Sequence, residues 1–196
     1  MNQPKSGTKK RRKKSKAPPT SKPPPTRFSM QFASPQELEV IGPLAIAQLS
    51  VPRALADQRM RAGRVVAAPI TGYMLIDTGA SCTCIAEETA LALELPVIDV
   101  GTTYGAGGKH DLNIYPVFMA LRIEDGKTGM VSEISNEIRA SGIPELGNQL
   151  NHLVVTNPKV PMIGLIGRDL LRHATLIYRG SQGNVTLEFD LNSFKT

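Results

Sequence analysis

A carboxylate at the end of an apolar run is the residue in this sequence best placed to do chemistry. Met74-Leu75-Ile76 leads into Asp77-Thr78-Gly79-Ala80. A lone carboxylate is costly beside apolar neighbours unless hydrogen bonds or a second ionisable group stabilise it. Thr78 supplies a hydroxyl close by, and Gly79 permits a tight turn that presents backbone N–H groups. Alone the Asp-Thr-Gly step is weak, because average residue usage produces an Asp-[Ser/Thr]-Gly in roughly one chain in ten of this length. The bland reading is a strand followed by an ordinary turn.

A second element adds weight. Pro161-Met162-Ile163-Gly164-Leu165-Ile166 is an apolar strand carrying a glycine. It runs through Gly167-Arg168-Asp169 into Leu170-Leu171, which has the pattern of a short helix. Between the two elements stands the glycine-rich stretch Tyr104-Gly105-Ala106-Gly107-Gly108.

Taken in this order, the three elements resemble the retropepsin family, the single-lobe aspartic proteases of retroviral type. The resemblance covers about residues 44–190. It implies a mainly β, single-lobe acid-protease fold with short helices, active as a homodimer. Asp77 would be catalytic, with Thr78, Gly79 and Ala80 supporting the loop. Tyr104, Gly105, Ala106, Gly107 and Gly108 would form a flap over an extended polypeptide substrate. Gly164, Gly167, Arg168 and Asp169 would be the structural motif that supports the loop. Thr78 would brace two loops across the dimer axis, and Gly79 would offer its backbone to substrate. The sequence departs from the family at Ser81, where retroviral members usually carry an Asp that helps to hold the substrate backbone and pairs with the later Arg. It departs again in the long segment 124–150.

Peptide hydrolysis by this route needs two carboxylates sharing one proton. The chain carries a single Asp-Thr-Gly. Asp125-Gly126 lacks the hydroxyl residue and the apolar lead-in, and Asp169 belongs to the helix step. The second carboxylate is therefore expected from another copy, with Asp77 facing itself across a two-fold axis.

The elements that must position these residues read as mainly β. Strands are expected at Leu44 to Val51, Ile70 to Ile76, Leu112 to Ile123 and Val160 to Ile166. A hairpin is expected from Ala174 to Tyr178 and Val185 to Phe189. Helices are expected at Ala86 to Leu95, closed by Pro96, and at Arg168 to His173. Arg53, Arg59, Arg61 and Arg64 read as a basic loop. Residues 124–150 read as a long polar insertion, unusually long for a structureless loop.

Charge divides the 196-residue chain. Residues 1–27 hold 10 of the 23 Lys and Arg and none of the 17 acidic residues, which leaves a net of −4 for the rest. This leader is Pro-rich and apolar-poor, so it is expected to be a disordered basic tail ahead of one domain over residues 28–196. The run Lys9 to Lys14 fits phosphate-driven nucleic-acid binding, an anionic membrane surface, a nuclear-import address or plain solubilisation. Ser81, the long segment 124–150 and the tail motivate an alternative function: a catalytically weak or inactive, dimeric peptide-binding or scaffold module of the same fold, whose residues 1–27 bind nucleic acid or an acidic partner.

No cofactor or metal is implied. Cys82 and Cys84 with His110, His152 and His173 form no spaced ligand set, and two small core-facing thiols are the simpler reading. Gly105 to Gly108 lacks the Gly-Lys-[Ser/Thr] step of a phosphate loop. The chain has no apolar stretch of the roughly 20 residues that span a bilayer and no secretory h-region. With no disulfide framework either, a soluble protein of a reducing, intracellular compartment is expected.

Overall fold

The structure is a computed structural model that describes residues 26–105, 108–124, 131–147 and 160–190. Most of the expected tail (1–25), residues Ala106 and Gly107 of the expected flap, and residues 125–130 and 148–150 of the expected insertion lie outside the described residues, as does His152.

The protein is mainly β. Its strands in chain order are β1 (Thr26–Gln31), β2 (Leu44–Ser50), β3 (Ile70–Ile76), β4 (Cys84–Ala86), β5 (Asp99–Gly105), β6 (Gly108–Glu124), β7 (Val131–Ile143), β8 (Met162–Ile166), β9 (Ala174–Arg179) and β10 (Asn184–Phe189). Short helices are interspersed: α1 (Pro35–Ile41), α2 (Arg53–Arg61), α3 (Glu87–Ala92) and α4 (Arg168–Leu171).

Seven strands form one sheet in the order β2-β3-β8-β4-β7-β6-β5, and β2 pairs again with β6. That second pairing closes β2, β3, β8, β4, β7 and β6 into a six-stranded barrel and leaves β5 outside, bonded to β6 alone. Closure removes the open edges of those six strands. A separate three-stranded sheet, β1-β10-β9, carries the expected C-terminal hairpin, with β1 antiparallel to β10.

Alternation along β2, β3 and β6, with the almost wholly buried β8, fills the barrel. Tyr115, Val117, Met119 and Leu121 of β6 are buried, with Ala45, Ala47 and Leu49 of β2, Met74 and Ile76 of β3, and Ile163 and Ile166 of β8. One ladder row crosses all seven strands through Leu44, Leu75, Leu165, Cys84, Ser141, Ile114 and Asp99. It therefore joins the strand that ends at Asp77 to the base of the β5–β6 hairpin.

Several expectations need correction. The basic loop is helix α2. Its Arg, Ala, Leu, Gln and Met are good helix formers, and Arg59 is buried, donating to the carbonyls of Leu93 (3.1 Å) and Glu94 beyond the end of α3. The expected insertion contains β7, a full barrel strand that pairs with β6 from Ile114↔Ser141 to Glu124↔Val131. Its exposed residues Glu133, Ser135, Glu137 and Arg139 alternate with an inner face that includes Ile134, Ile138 and Ala140. The tail boundary also shifts, because Thr26 and Arg27 already belong to β1. The first helix, α1, was not expected. Its Ser34 side chain accepts from Glu37 N–H (3.1 Å), while the Glu37 carboxylate accepts from Ala33 N–H (2.7 Å), close to a reciprocal capping box.

Candidate active site

The Asp77 loop leaves the barrel between β3 and β8. These strands run parallel, with Ile76 beside Ile166, and the Asp77 N–H donates to the Ile166 carbonyl at 3.0 Å. The backbone then turns, Ala80 N–H donating to the Asp77 carbonyl at 3.3 Å. Gly79 N–H donates to Asp77 Oδ1 at 2.7 Å, the length of a charge-assisted bond. One carboxylate oxygen is thereby fixed by the loop's own backbone. Asp77 is half-buried; Thr78, Gly79 and Ser81 are exposed, and Ala80 is intermediate.

The second motif folds directly onto this loop. Arg168 N–H donates to the Ala80 carbonyl (3.0 Å), and the Arg168 guanidinium donates from Nη1 to the carbonyls of Thr78 (2.8 Å) and Gly79 (2.9 Å). Arg168 thus spans three consecutive loop residues. Its planar, permanently charged group suits this forked contact better than a lysine ammonium would.

A buried polar knot lies beneath. Thr83, fully buried, donates from Oγ1 to Asp169 Oδ1 at 2.8 Å and accepts from Gly167 N–H at 3.2 Å. Asp169 Oδ1 also accepts from Leu170 N–H at 3.0 Å, in the first turn of α4. The two glycines of the motif are needed for contact. A Cβ on Gly167 would lie 2.4 Å from the Cys82 carbonyl oxygen and 2.8 Å from Thr83 N. One on Gly164 would lie 2.4 Å from the Cys84 carbonyl oxygen. Without those side chains β8 and α4 can seat against β4 and the loop that feeds it.

The fold therefore gathers Asp77, Thr78, Gly79, Ala80, Gly164, Gly167, Arg168 and Asp169 into one place. Thr83 completes the group, although the sequence did not single it out. A threonine between two cysteines carries no signal of its own; its role arises from the approach of Asp169, 86 residues away.

Of the expected flap, Tyr104, Gly105 and Gly108 belong to the β5–β6 hairpin. Gly105 pairs with Gly108, which has φ +101°, and Tyr104 is 78% exposed. Among the described residues no hydrogen bond joins the hairpin to the Asp77 loop. Val100, Thr102 and Tyr104 are the partners of Asn113, Asp111 and Lys109. Residues 109, 111 and 113 share the strand parity of the barrel-filling Tyr115 and Val117, so this hairpin face continues the inner face of the barrel.

Cys82 is half-buried with Sγ 3.7 Å from Ser141 Oγ, and Cys84 is buried. Burial, and then the neighbouring Cys82 thiol, push the Cys84 pKa up to about 12. Among the described residues no group of three His, Cys, Asp or Glu is placed to hold a metal ion. A groove of about 880 Å³ lies elsewhere, between Ser29 to Ala33 and the outer face of β2, β3 and β6. No residue of the Asp77 loop lines it, so concavity alone would point away from the carboxylate. Among the described residues no helix is long and apolar enough to cross a membrane.

No protein-family model matches the sequence, and no curated protein matches it.

Proposed function

We propose that the chain is one half-site of an aspartic endopeptidase of retropepsin type, completed when two copies bring their Asp77 carboxylates together. The observation that carries this reading is the convergence of the two sequence elements. A half-buried carboxylate at a barrel-strand end accepts the Gly79 N–H, in a loop held from outside by Arg168. That arrangement leaves Asp77 Oδ2 free of any protein donor among the described residues.

In the dimer the two carboxylates share one proton, because adjacent like charges do not both ionise readily. The ionised Asp77 takes a proton from a bound water as the water oxygen attacks the scissile carbonyl carbon. The protonated Asp77 of the other copy gives its proton to the carbonyl oxygen, forming a gem-diol. Return of a proton to the amide nitrogen and collapse of the diol break the C–N bond, and two peptide ends leave. The hairpin face bearing Val100, Thr102 and Tyr104 covers an extended substrate, which pairs as an added strand. No cofactor takes part in these steps.

Cleavage of a diverse peptide library between about pH 3.5 and 7, the range that brackets carboxyl titration in such a pair, tests the reading. Wild type is expected to cleave and Asp77→Asn to be inactive while remaining dimeric. Cleavage by pure mutant protein refutes the mechanism.

Ser81 favours a second reading, a dimeric peptide-binding module without catalysis. It is exposed and places no carboxylate beside the substrate path or Arg168. In this reading the basic residues 1–27 engage nucleic acid or an acidic partner. A verified dimer that binds library peptides and cleaves none selects it. Salt-sensitive retention on nucleic acid, lost on deleting the tail, identifies the tail's share.

A further inference from the structure

The β5–β6 hairpin leaves the barrel at one residue. Ile114 is the last position of β6 bonded to β7 and also pairs with Asp99 of β5; from Asn113 to Gly108, among the described residues, the hairpin strands pair only with each other. Asn113 is thus the first residue of β6 beyond the barrel, and a bond made there acts at the base of the hairpin.

Among the described residues, two side-chain tethers cross this hinge. Arg139 on β7 meets Asp99 at 2.6 Å, but both side chains are more than half exposed. Such pairs are screened and hold little. The other tether is more buried. Glu87 Oε1, at the start of α3, accepts from the Tyr115 hydroxyl at 2.8 Å and from Asn113 Nδ2 at 2.9 Å. Tyr115 is 2% exposed, and its ring packs over Gly142 of β7, where a Cβ would come within 2.6 Å of the ring. One carboxylate oxygen thus bonds simultaneously to a rigid core side chain and to the first residue of the hairpin. Burial, and then the Glu87 contact, raise the Tyr115 pKa, so the phenol stays protonated as a donor.

We propose that Glu87 is a positioning residue that sets the stance of the β5–β6 hairpin for substrate capture, by bonding Asn113 to the barrel-anchored Tyr115. The substrate part of this inference rests on the peptidase reading; the tether itself does not. Glu87 touches no reacting atom. It acts on binding, so its loss raises KM and leaves kcat near wild type.

Amide hydrogen exchange on the full-length protein reads the tether without needing activity, and peptide cleavage reads its consequence. Glu87→Ala is expected to speed exchange in residues 99–113 about tenfold, the order of one lost bond, with the rest of the barrel unchanged. KM rises several-fold and kcat holds. Glu87→Gln restores both, since its amide oxygen accepts the same two bonds. Asn113→Ala cuts only the hairpin side and repeats the effect should Glu87→Ala fail to fold. Wild-type exchange in the hairpins of both Ala variants overturns the proposal. So does a Glu87→Gln protein that behaves like Glu87→Ala, or a fall in kcat at constant KM. If wild type cleaves nothing, the peptidase reading and the substrate part fall together, and the exchange data alone decide the tether.

Discussion

The Arg168 guanidinium donates to the carbonyls of Thr78 and Gly79 at 2.8 and 2.9 Å, so an arginine 91 positions after Asp77 acts as the outer clamp of its loop. Because the clamp grips backbone, it does not depend on a carboxylate at position 81, where this chain has Ser81. Arg168→Lys leaves a point charge in place of the fork. We expect a stability loss of about 1–2 kcal/mol, read from the urea midpoint. A larger proportional loss of cleavage should accompany it, because the loop and not the core is released. A midpoint and activity both equal to wild type contradict the clamp.

The Thr83 knot gives a second prediction. Thr83→Val keeps the shape but removes the donor to Asp169 and the acceptor for Gly167 N–H, in a site with no exposure. Leaving buried polar groups unmatched costs about 1–3 kcal/mol each, so the denaturation midpoint falls clearly. Thr83→Ser keeps the hydroxyl and loses only a methyl, and should stay within about 1.5 kcal/mol of wild type. Equal losses in the two variants would assign Thr83 to packing alone.

Gly167→Ala places a Cβ 2.3 Å from the Cys82 carbonyl carbon, and backbone cannot swing aside as a side chain does. Overpacking of this kind costs about 1–3 kcal/mol and more where nothing yields. The soluble yield and the midpoint should both drop, with the Asp77 loop the first region to lose exchange protection. A variant of wild-type stability contradicts the close approach.

Cys84 gives a pH prediction. Its folded pKa, raised by burial from 9.0 to about 12, exceeds the unfolded value. The protonated thiol is the form the fold prefers, so its contribution is complete below about pH 9 and is lost as pH rises towards 12. Stability should decline across that alkaline window, and Cys84→Ala should flatten the decline. Native protein treated with iodoacetamide at pH 8 should take one label, at half-buried Cys82, and two in urea. Rapid labelling of Cys84 in the native state contradicts its burial.

The parts legible in the sequence were those whose signals are local. Ile70 to Ile76 reads as a buried strand because it is nearly all apolar, and the Gly180 to Asn184 turn separates two β-rich runs, now β9 and β10. The Asp77 loop and the Gly167-Arg168-Asp169 step could each be named from residue types. Their meeting could not, since it depends on the parallel pairing of β3 with β8 across some 90 residues. β7 escaped notice because one side of the strand faces solvent and carries Glu133, Ser135, Glu137 and Arg139. Among those polar residues, the two isoleucines and Ala140 look sparse. Helix α2 was obscured by its arginines, although Arg59 is buried by the carbonyls that follow α3. Glu87 read only as an acid in a helix's first turn; its bonds to Asn113 and Tyr115 come from β6 lying beside α3.

Mixing subunits decides whether two Asp77 carboxylates from different copies make one site. Wild type and Asp77→Asn are combined in varying ratio at constant total protein, allowed to exchange partners, and assayed on a cleaved library peptide. If both carboxylates are required, only wild-type pairs cut, and activity falls as the square of the wild-type fraction. Activity falling in simple proportion to that fraction would mean that each copy works alone, and would exclude a shared site.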